Sequence, residues 1–200
     1  MPTRPVTQPS RRSIGAQRNP ETRDAVLDAA EQVLTERGLS GFTIEAVARA
    51  ARAGKPTIYK WWGSKAALLL EVYDRNKIAE FHPNTGSVRR DVAGLLVNLM
   101  DHWEGSSAGP VFRSIVAEAQ ANADARHALD AYLQDLSRYI ALMIGRGIPR
   151  GELPPEADCT LMAEMISALA LQRLLSGRSL SVKEAGLTAD TLLAGFTQPA

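Results

Sequence analysis

Two hundred residues, 45% hydrophobic and 22% charged, suffice for one domain or two small ones with a buried core, and they exclude a wholly disordered chain. The net charge of +1 hides an asymmetry: residues 1–65 hold eleven Lys and Arg against six Asp and Glu, a balance of +5, while the other 135 residues hold 12 against 16, a balance of −4. A basic first third on a mildly acidic body points to a polyanion-binding module joined to a body with another task.

Residues 1–18 contain Pro2, Pro5 and Pro9 with Arg4, Arg11, Arg12 and Arg18, and have neither acids nor apolar periodicity. This reads as a disordered basic arm, either adding phosphate or minor-groove contacts or simply aiding solubility. The stretch has no apolar core of the kind a secretory signal needs, and nowhere does an apolar run approach the roughly 18 residues of a membrane span. A cytoplasmic protein is expected.

The first helix is announced by Asn19-Pro20-Glu21: a cap-type residue, proline at the first helical position and an acid in the first turn. Val26, Ala29, Ala30, Val33 and Leu34 form one apolar face, and Gly38 ends the helix. Thr43 caps a second helix of about two turns, with Ile44, Val47 and Ala48 inward, until Ala51-Arg52-Ala53-Gly54 interrupts it. A third begins at Lys55-Pro56 and stops at Gly63. Ser64 then caps a fourth, longer helix through Leu68, Leu69, Val72 and Tyr73.

Two short helices joined by a tight turn and braced by a longer one match a helix-turn-helix unit, over residues 19–63, whose second helix enters the major groove. Lys55, Pro56 and Thr57 occupy the first turn of that helix, the end that meets base edges. Lysine donates to guanine, and the proline and threonine carbons touch thymine methyl. Tyr59, Lys60 and Lys65 supply donors for phosphate oxygens, and the backbone amides at Thr43 and Ser64 are helix-start anion sites.

Here the chain resembles the tetracycline-repressor-like, or TetR, family of transcriptional regulators across residues 20–73. The runs FTIEAVARAA, KPTIYKWW and SKAALL carry the resemblance, with the Lys-Pro-Thr-Ile-Tyr recognition turn, the aromatic at the helix end and the Ser-Lys opening at the family's spacing. The family usually has Ala-Gly-Val-Ser in the turn. Arg52 therefore stands where glycine is common, a place that favours positive φ, and Gly54 replaces a serine cap; the charge of Arg52 equally favours DNA. Trp62 matches the family's buried aromatic and Trp61 a variable position flanking the DNA backbone.

Residues 64–200 read as about six helices, including the one begun at Ser64, with no alternating strand pattern, so the whole chain is expected to be all-α. Breaks are expected at Pro83-Asn84, Gly105 to Pro110, Ala121 to Asp124 and Gly145 to Pro155. The resemblance implies that this bundle binds a ligand and dimerises. Trp103, Phe112, Tyr139, Leu142 and Met143, with the polar tips of His102, Gln120 and Asn122, are candidates for a mostly apolar pocket, although each equally suits core filling. Leu161, Met165, Leu169 and Leu174 on a helix from about Asp158 to Ser176, with Leu192 and Phe196 on a last helix from about Leu187 to Phe196, are candidates for a homodimer interface.

Catalysis finds no support. His82, His102 and His127 lack metal-ligand partners at recognised spacings, no Ser-His-Asp arrangement is inferable, and Gly145-Arg146-Gly147 follows no strand. The single cysteine, Cys159, cannot form an intrachain disulfide, and no metal or cofactor is expected. The expected function is a DNA-binding repressor, homodimeric on an inverted repeat of double-stranded DNA and released by a small-molecule effector of unread identity. Its rivals are an interaction protein with a degenerate helix-turn-helix and a helical enzyme.

Overall fold

The computed structural model describes residues 20–75 and 83–197, and side chains at all of these except Pro20, Phe196 and Thr197. The basic arm expected over residues 1–18 lies outside the described residues, as does His82. Within them every regular element is a helix: α1 (Pro20–Gly41), α2 (Ile44–Ala50), α3 (Lys55–Trp62), α4 (Lys65–Arg75), α5 (Val88–Gly105), α6 (Ala108–Ala119), α7 (Ala123–Gly145), α8 (Cys159–Ser176) and α9 (Val182–Thr197).

Val26, Leu27, Ala30 and Val33 bury the inner face of α1, and Gly38 breaks its path with φ 65° and ψ −175°. Thr43 is extended, and its Oγ1 accepts from the Ala46 amide at 3.1 Å, starting α2. Arg52 takes φ 51°, the left-handed value expected of this turn, and lets the Ala53 amide reach back to the Ala48 carbonyl at 3.0 Å. Gly54 opens α3 with no side-chain cap; its carbonyl accepts from the Thr57 amide at 2.9 Å and the Ile58 amide at 3.2 Å.

The fourth helix belongs to both halves of the molecule. Leu68, Leu69 and Val72 are buried, and α4 packs on α1 at one side and on α6 and α7 at the other. Glu71 gathers its neighbours: one carboxylate oxygen accepts from Trp62 Nε1 of α3 at 2.6 Å and the other pairs with Arg23 of α1. Arg75 pairs with Asp28 of α1 at 2.8 Å.

Around α4 the body closes as a bundle in which α5 pairs with α9 and α7 with α8, over a core that includes Leu96, Ile115, Met143, Ile144, Met162 and Ile166. Two boundaries differ from expectation. The last helix begins at Val182 rather than Leu187, because Ser181 and Glu184 form a reciprocal capping box: Ser181 Oγ accepts from the Glu184 amide and Glu184 Oε2 from the Ser181 amide at 2.9 Å. The break expected to reach Pro110 ends earlier, since α6 starts at Ala108 and carries the proline in its first turn, where no intrahelical donor is lost.

Candidate nucleic-acid interface and bundle cavity

Helical period divides α3 into two faces. Ile58 and Trp62 are buried where α3 packs on α2 and α4, whereas Lys55, Pro56, Tyr59 and Lys60 are exposed; Thr57 is half-buried. Thr43 and Arg52, flanking this face, are exposed, and Lys65 is half-buried at the start of α4. The structure thus brings seven expected DNA contacts to one side of the α2–α3 unit, with Lys65 at the start of the following helix. Trp62 sits in the core, as expected of it, and the half-buried ring of Trp61 leans on it with centroids 6.2 Å apart.

Ser64 does not join them. The residue is only 3% exposed, its Oγ accepts from the Ala67 amide at 3.0 Å, and its own N–H turns back to the Trp62 carbonyl. The Ala66 amide donates to Glu118 Oε1 of α6 at 3.3 Å. The helix-start amides expected to receive a phosphate at Ser64 are used within the fold, because α4 opens against the body rather than toward solvent.

Sequence reasoning missed Glu45. Its Oε1 accepts from Lys55 Nζ at 2.9 Å across the turn. That hydrogen bond holds the Glu45 carboxyl below its ordinary range and the Lys55 ammonium above its own. Glu45 had entered only the charge count; the tight turn that folds α2 against α3 is what brings it to a lysine ten residues on. The pair presents an acceptor and a donor side by side, the complement of cytosine N4 and guanine O6.

The body holds a cavity of about 270 Å³. Its aromatic wall comes from four helices: Tyr73 of α4, Trp103 of α5, Phe112 of α6, and Tyr132 and Tyr139 of α7. Trp103 Nε1 donates to the Tyr73 hydroxyl at 3.0 Å, and the Tyr73 ring meets that of Tyr132 edge-on with centroids 6.0 Å apart. Burial pushes the Tyr73 hydroxyl up to about 12 and that of Tyr132 higher still, with the charge of Asp74 adding to both.

Of the expected pocket residues, Trp103, Phe112 and Tyr139 line this cavity. Met143 is fully buried and does not line it; His102 stacks edge-on beside Tyr73, with centroids 6.1 Å apart, in a separate recess, its pKa lowered by burial. Gln120 is exposed at the end of α6 and donates to the Val116 carbonyl, Asn122 caps α7 through the Ala125 amide, and Leu142 is 67% exposed. Tyr73, Tyr132 and Ser167 line the cavity without having been singled out as pocket residues. The first two were visible as hydroxyl-bearing residues on otherwise apolar stripes, where a buried O–H needs a partner.

On α8, Leu161 and Met165 are exposed, Leu169 is half-buried against the core, and Leu174 is only 4% exposed. Leu174 therefore packs inside its own protomer with Met162, Ile166 and Ala170, and its neighbour Leu175, 53% exposed, takes the outward place at the helix period. Leu192 is half-buried against the core, and the side chain of Phe196 lies outside the described residues. No cluster of His, Cys, Asp and Glu suited to a metal ion occurs among the described residues, and no helix among them is long and apolar enough to cross a membrane.

Two family models match in tandem: that of bacterial regulatory proteins of the tetR family over residues 26–72, and that of the tetracyclin repressor-like C-terminal domain over residues 82–192. The chain is 29% identical over 167 residues to the uncharacterized HTH-type transcriptional regulator YdeS of Bacillus subtilis, covering 80% of this chain and 82% of that one. It is 28% identical over 185 residues to the DNA-binding transcriptional repressor TetR of Mycobacteroides abscessus, covering 90% and 96%. The crystal structure of the TetR family transcription regulator SCO0332 superposes with a TM-score of 0.75 at 26% identity, covering 88% of this chain and 98% of that one. Tandem matches in the order reader then bundle, on a fold with that geometry, leave one conclusion: the chain belongs to the TetR family of transcriptional regulators.

Proposed function

We propose that this regulator is a cytoplasmic repressor that binds an inverted-repeat operator as a homodimer and leaves it when a small molecule fills the bundle cavity. Residues 19–63 are the reader and 64–200 the effector-binding and dimerising body. The observation that carries the reading is the position of α4, which reaches both sites. Glu71 on α4 holds Trp62 of the recognition helix, and Tyr73 on the same helix forms part of the cavity wall.

The mechanism follows from that placement. Lys55, with Pro56 and Thr57, meets base edges, while Arg52, Tyr59, Lys60 and Lys65 meet phosphates and Thr43 flanks them. Exposed Leu161, Met165 and Leu175 on α8, with Leu187 on α9, form an apolar face for a second copy, which sets two recognition helices roughly one turn of DNA apart. A molecule that fits the cavity better when the readers are splayed shifts the population to that state, and operator affinity falls by linkage. The repressor named in the Mycobacteroides relative, matched over 90% of this chain, supports repression.

Selection of a random duplex library with the full chain tests this. An enriched inverted repeat is the expected result. No enrichment at low salt with a folded protein overturns it in favour of a protein-interaction module.

A further inference from the structure

Trp103 lines two hollows. One is the bundle cavity; the other is a recess of about 450 Å³ bounded by the end of α5, the start of α6 and the end of α8 with the turn that follows it. Among the described residues Trp103 is the only wall the two share. The described lining of the recess carries three arginines, Arg113, Arg173 and Arg178, and one carboxylate, Glu104. Arginine keeps its charge at every pH a folded protein meets. Like charges gathered about one hollow repel, and an anion seated among them replaces that repulsion with attraction.

The backbone brings these arginines together. The Gly177 amide donates to the Leu174 carbonyl at 3.3 Å and the Arg178 amide to the Arg173 carbonyl at 3.0 Å, the two bonds of a Schellman turn, which Gly177 permits at φ 65°. That turn folds the chain at Arg178 back onto Arg173, five residues earlier. From α6, Arg113 donates to the Leu174 carbonyl at 3.4 Å and so reaches the same helix end.

These contacts use a small part of what the guanidinium groups offer, since each has five N–H donors. Arg113 gives one to the Leu174 carbonyl, and Arg173 gives one to the Ser179 carbonyl at 3.1 Å. Arg173 also faces Glu184 at 3.7 Å, too far for a hydrogen bond, although its side chain is only 15% exposed. The exposed Arg178 makes no side-chain hydrogen bond or ion pair with a described residue. Most of the donors around the recess are therefore left for another partner.

The rest of the lining is partly apolar and includes Met100, Trp103 and Leu174. A guanidinium fork matches a carboxylate or phosphate through parallel hydrogen bonds, and an indole and a thioether beside it suit an apolar body carrying that group. Since a cavity of roughly 150 Å³ admits one benzene, 450 Å³ has room for a ring together with its acidic group. We propose that this recess is a second ligand site, for a small molecule whose carboxylate or phosphate is held by Arg113, Arg173 and Arg178 and whose apolar body rests on Trp103 and Met100. It stands apart from the bundle cavity and does not depend on what fills that cavity.

Calorimetry on the full chain at neutral pH tests the assignment with phenyl phosphate, and with inorganic phosphate and phenol as its two halves. Phenyl phosphate should bind at least about tenfold tighter than either half. Arg178→Gln and Arg113→Gln should each weaken it by about fivefold or more, the loss of a charge-assisted hydrogen bond, and leave phenol as it was. Arg138→Gln, on α7 and outside the recess, should change nothing. Glu104→Gln, which takes the acid off the lining, should tighten phenyl phosphate about two- to threefold.

Failure of phenyl phosphate to bind the folded chain overturns the proposal. So does binding that both arginine variants leave unchanged, since the anion then sits elsewhere, and so does weaker binding by Glu104→Gln. Inorganic phosphate bound as tightly as phenyl phosphate overturns the ligand class, because the apolar body then contributes nothing. If Arg178→Gln instead flattens the salt dependence of binding to the selected duplex and spares phenyl phosphate, the arginines serve the DNA backbone and the proposal fails. Circular dichroism of each variant separates loss of binding from loss of fold.

Discussion

Arg52→Gly separates the strain of the turn from its charge. Arg52 is the sole non-glycine residue with positive φ among the described residues, at 51°. A residue with a Cβ is roughly 1–2 kcal/mol worse than glycine in that region, and glycine gives back roughly 0.5–1 kcal/mol by losing more backbone freedom on folding. The variant should therefore be more stable by about 0.5–1 kcal/mol, a rise in Tm of about 2 °C for a chain of this length. The hydrogen bond from its amide to the Arg49 carbonyl is a backbone contact that the substitution keeps. If the guanidinium meets a phosphate, DNA affinity should fall while stability rises, and the plot of log affinity against log salt should flatten by about 0.9. Urea unfolding with an unchanged m-value reads the first effect, and anisotropy titrations of the selected duplex at several salt concentrations read the second. A destabilised variant would refute the strain argument, and an unchanged salt slope would remove Arg52 from the DNA face.

Lys55→Ala should relax base preference at one operator position, whereas Lys65→Ala should weaken binding to all duplexes alike and flatten the salt slope by about one; competition with single-position operator variants distinguishes them. Glu45→Gln, which removes the negative charge beside the Lys55 ammonium, should raise affinity for unrelated duplexes and steepen the salt slope by about 0.9, so that the specificity ratio drops. Gly63→Ala should cost about 1–3 kcal/mol by urea unfolding: φ is 39°, and a Cβ there would stand 3.0 Å from Asp124. Asp124→Ala in that background should recover only some of the contact cost, since the Asp124 Cβ that alanine keeps also stands at 3.0 Å.

The reader was legible in the sequence because its signals are local. Thr43 as a cap, Pro56 in a first turn, and Ile58 and Trp62 against exposed Tyr59 and Lys60 all follow from residues within a few positions of one another. The left-handed Arg52 was legible only through the glycine that the family puts there. Ser64 was read correctly as a cap and wrongly as a phosphate ligand, because its burial is set by α6, more than fifty residues away, whose Glu118 takes the next amide. The cavity was half legible for a related reason. Trp103, Phe112 and Tyr139 stood out as large aromatics, but which rings face a void depends on how α4, α5, α6 and α7 cross, and periodicity within one helix carries no information about that. Leu174 and Leu175 show the limit most simply: one residue is 100° from the next on a helix, so a boundary between core and interface falls between neighbours.

How a filled cavity reaches the reader is constrained by what holds α4. Its first turn is tied to the body through Glu118 and the close approach of Gly63 to Asp124, its middle to α1 and α3 through Glu71, and its end to α1 through Arg75 and to the cavity through Tyr73. A helix of eleven residues is about 16 Å long, and a packed segment of that length moves as a rod rather than bending between such ties. Displacing Tyr73 must then move α1 and α3 together with α4, because Glu71 and Arg75 bind them to it. Its packing on α6 and α7 runs along its length, from the Ala66 amide that donates to Glu118 to the Tyr73 ring that meets Phe112 and Tyr132. In the proposed homodimer a cavity ligand that displaces Tyr73 would thus carry α4, α1 and α3 together, altering the separation of the two recognition helices while leaving each one's base-contacting surface intact.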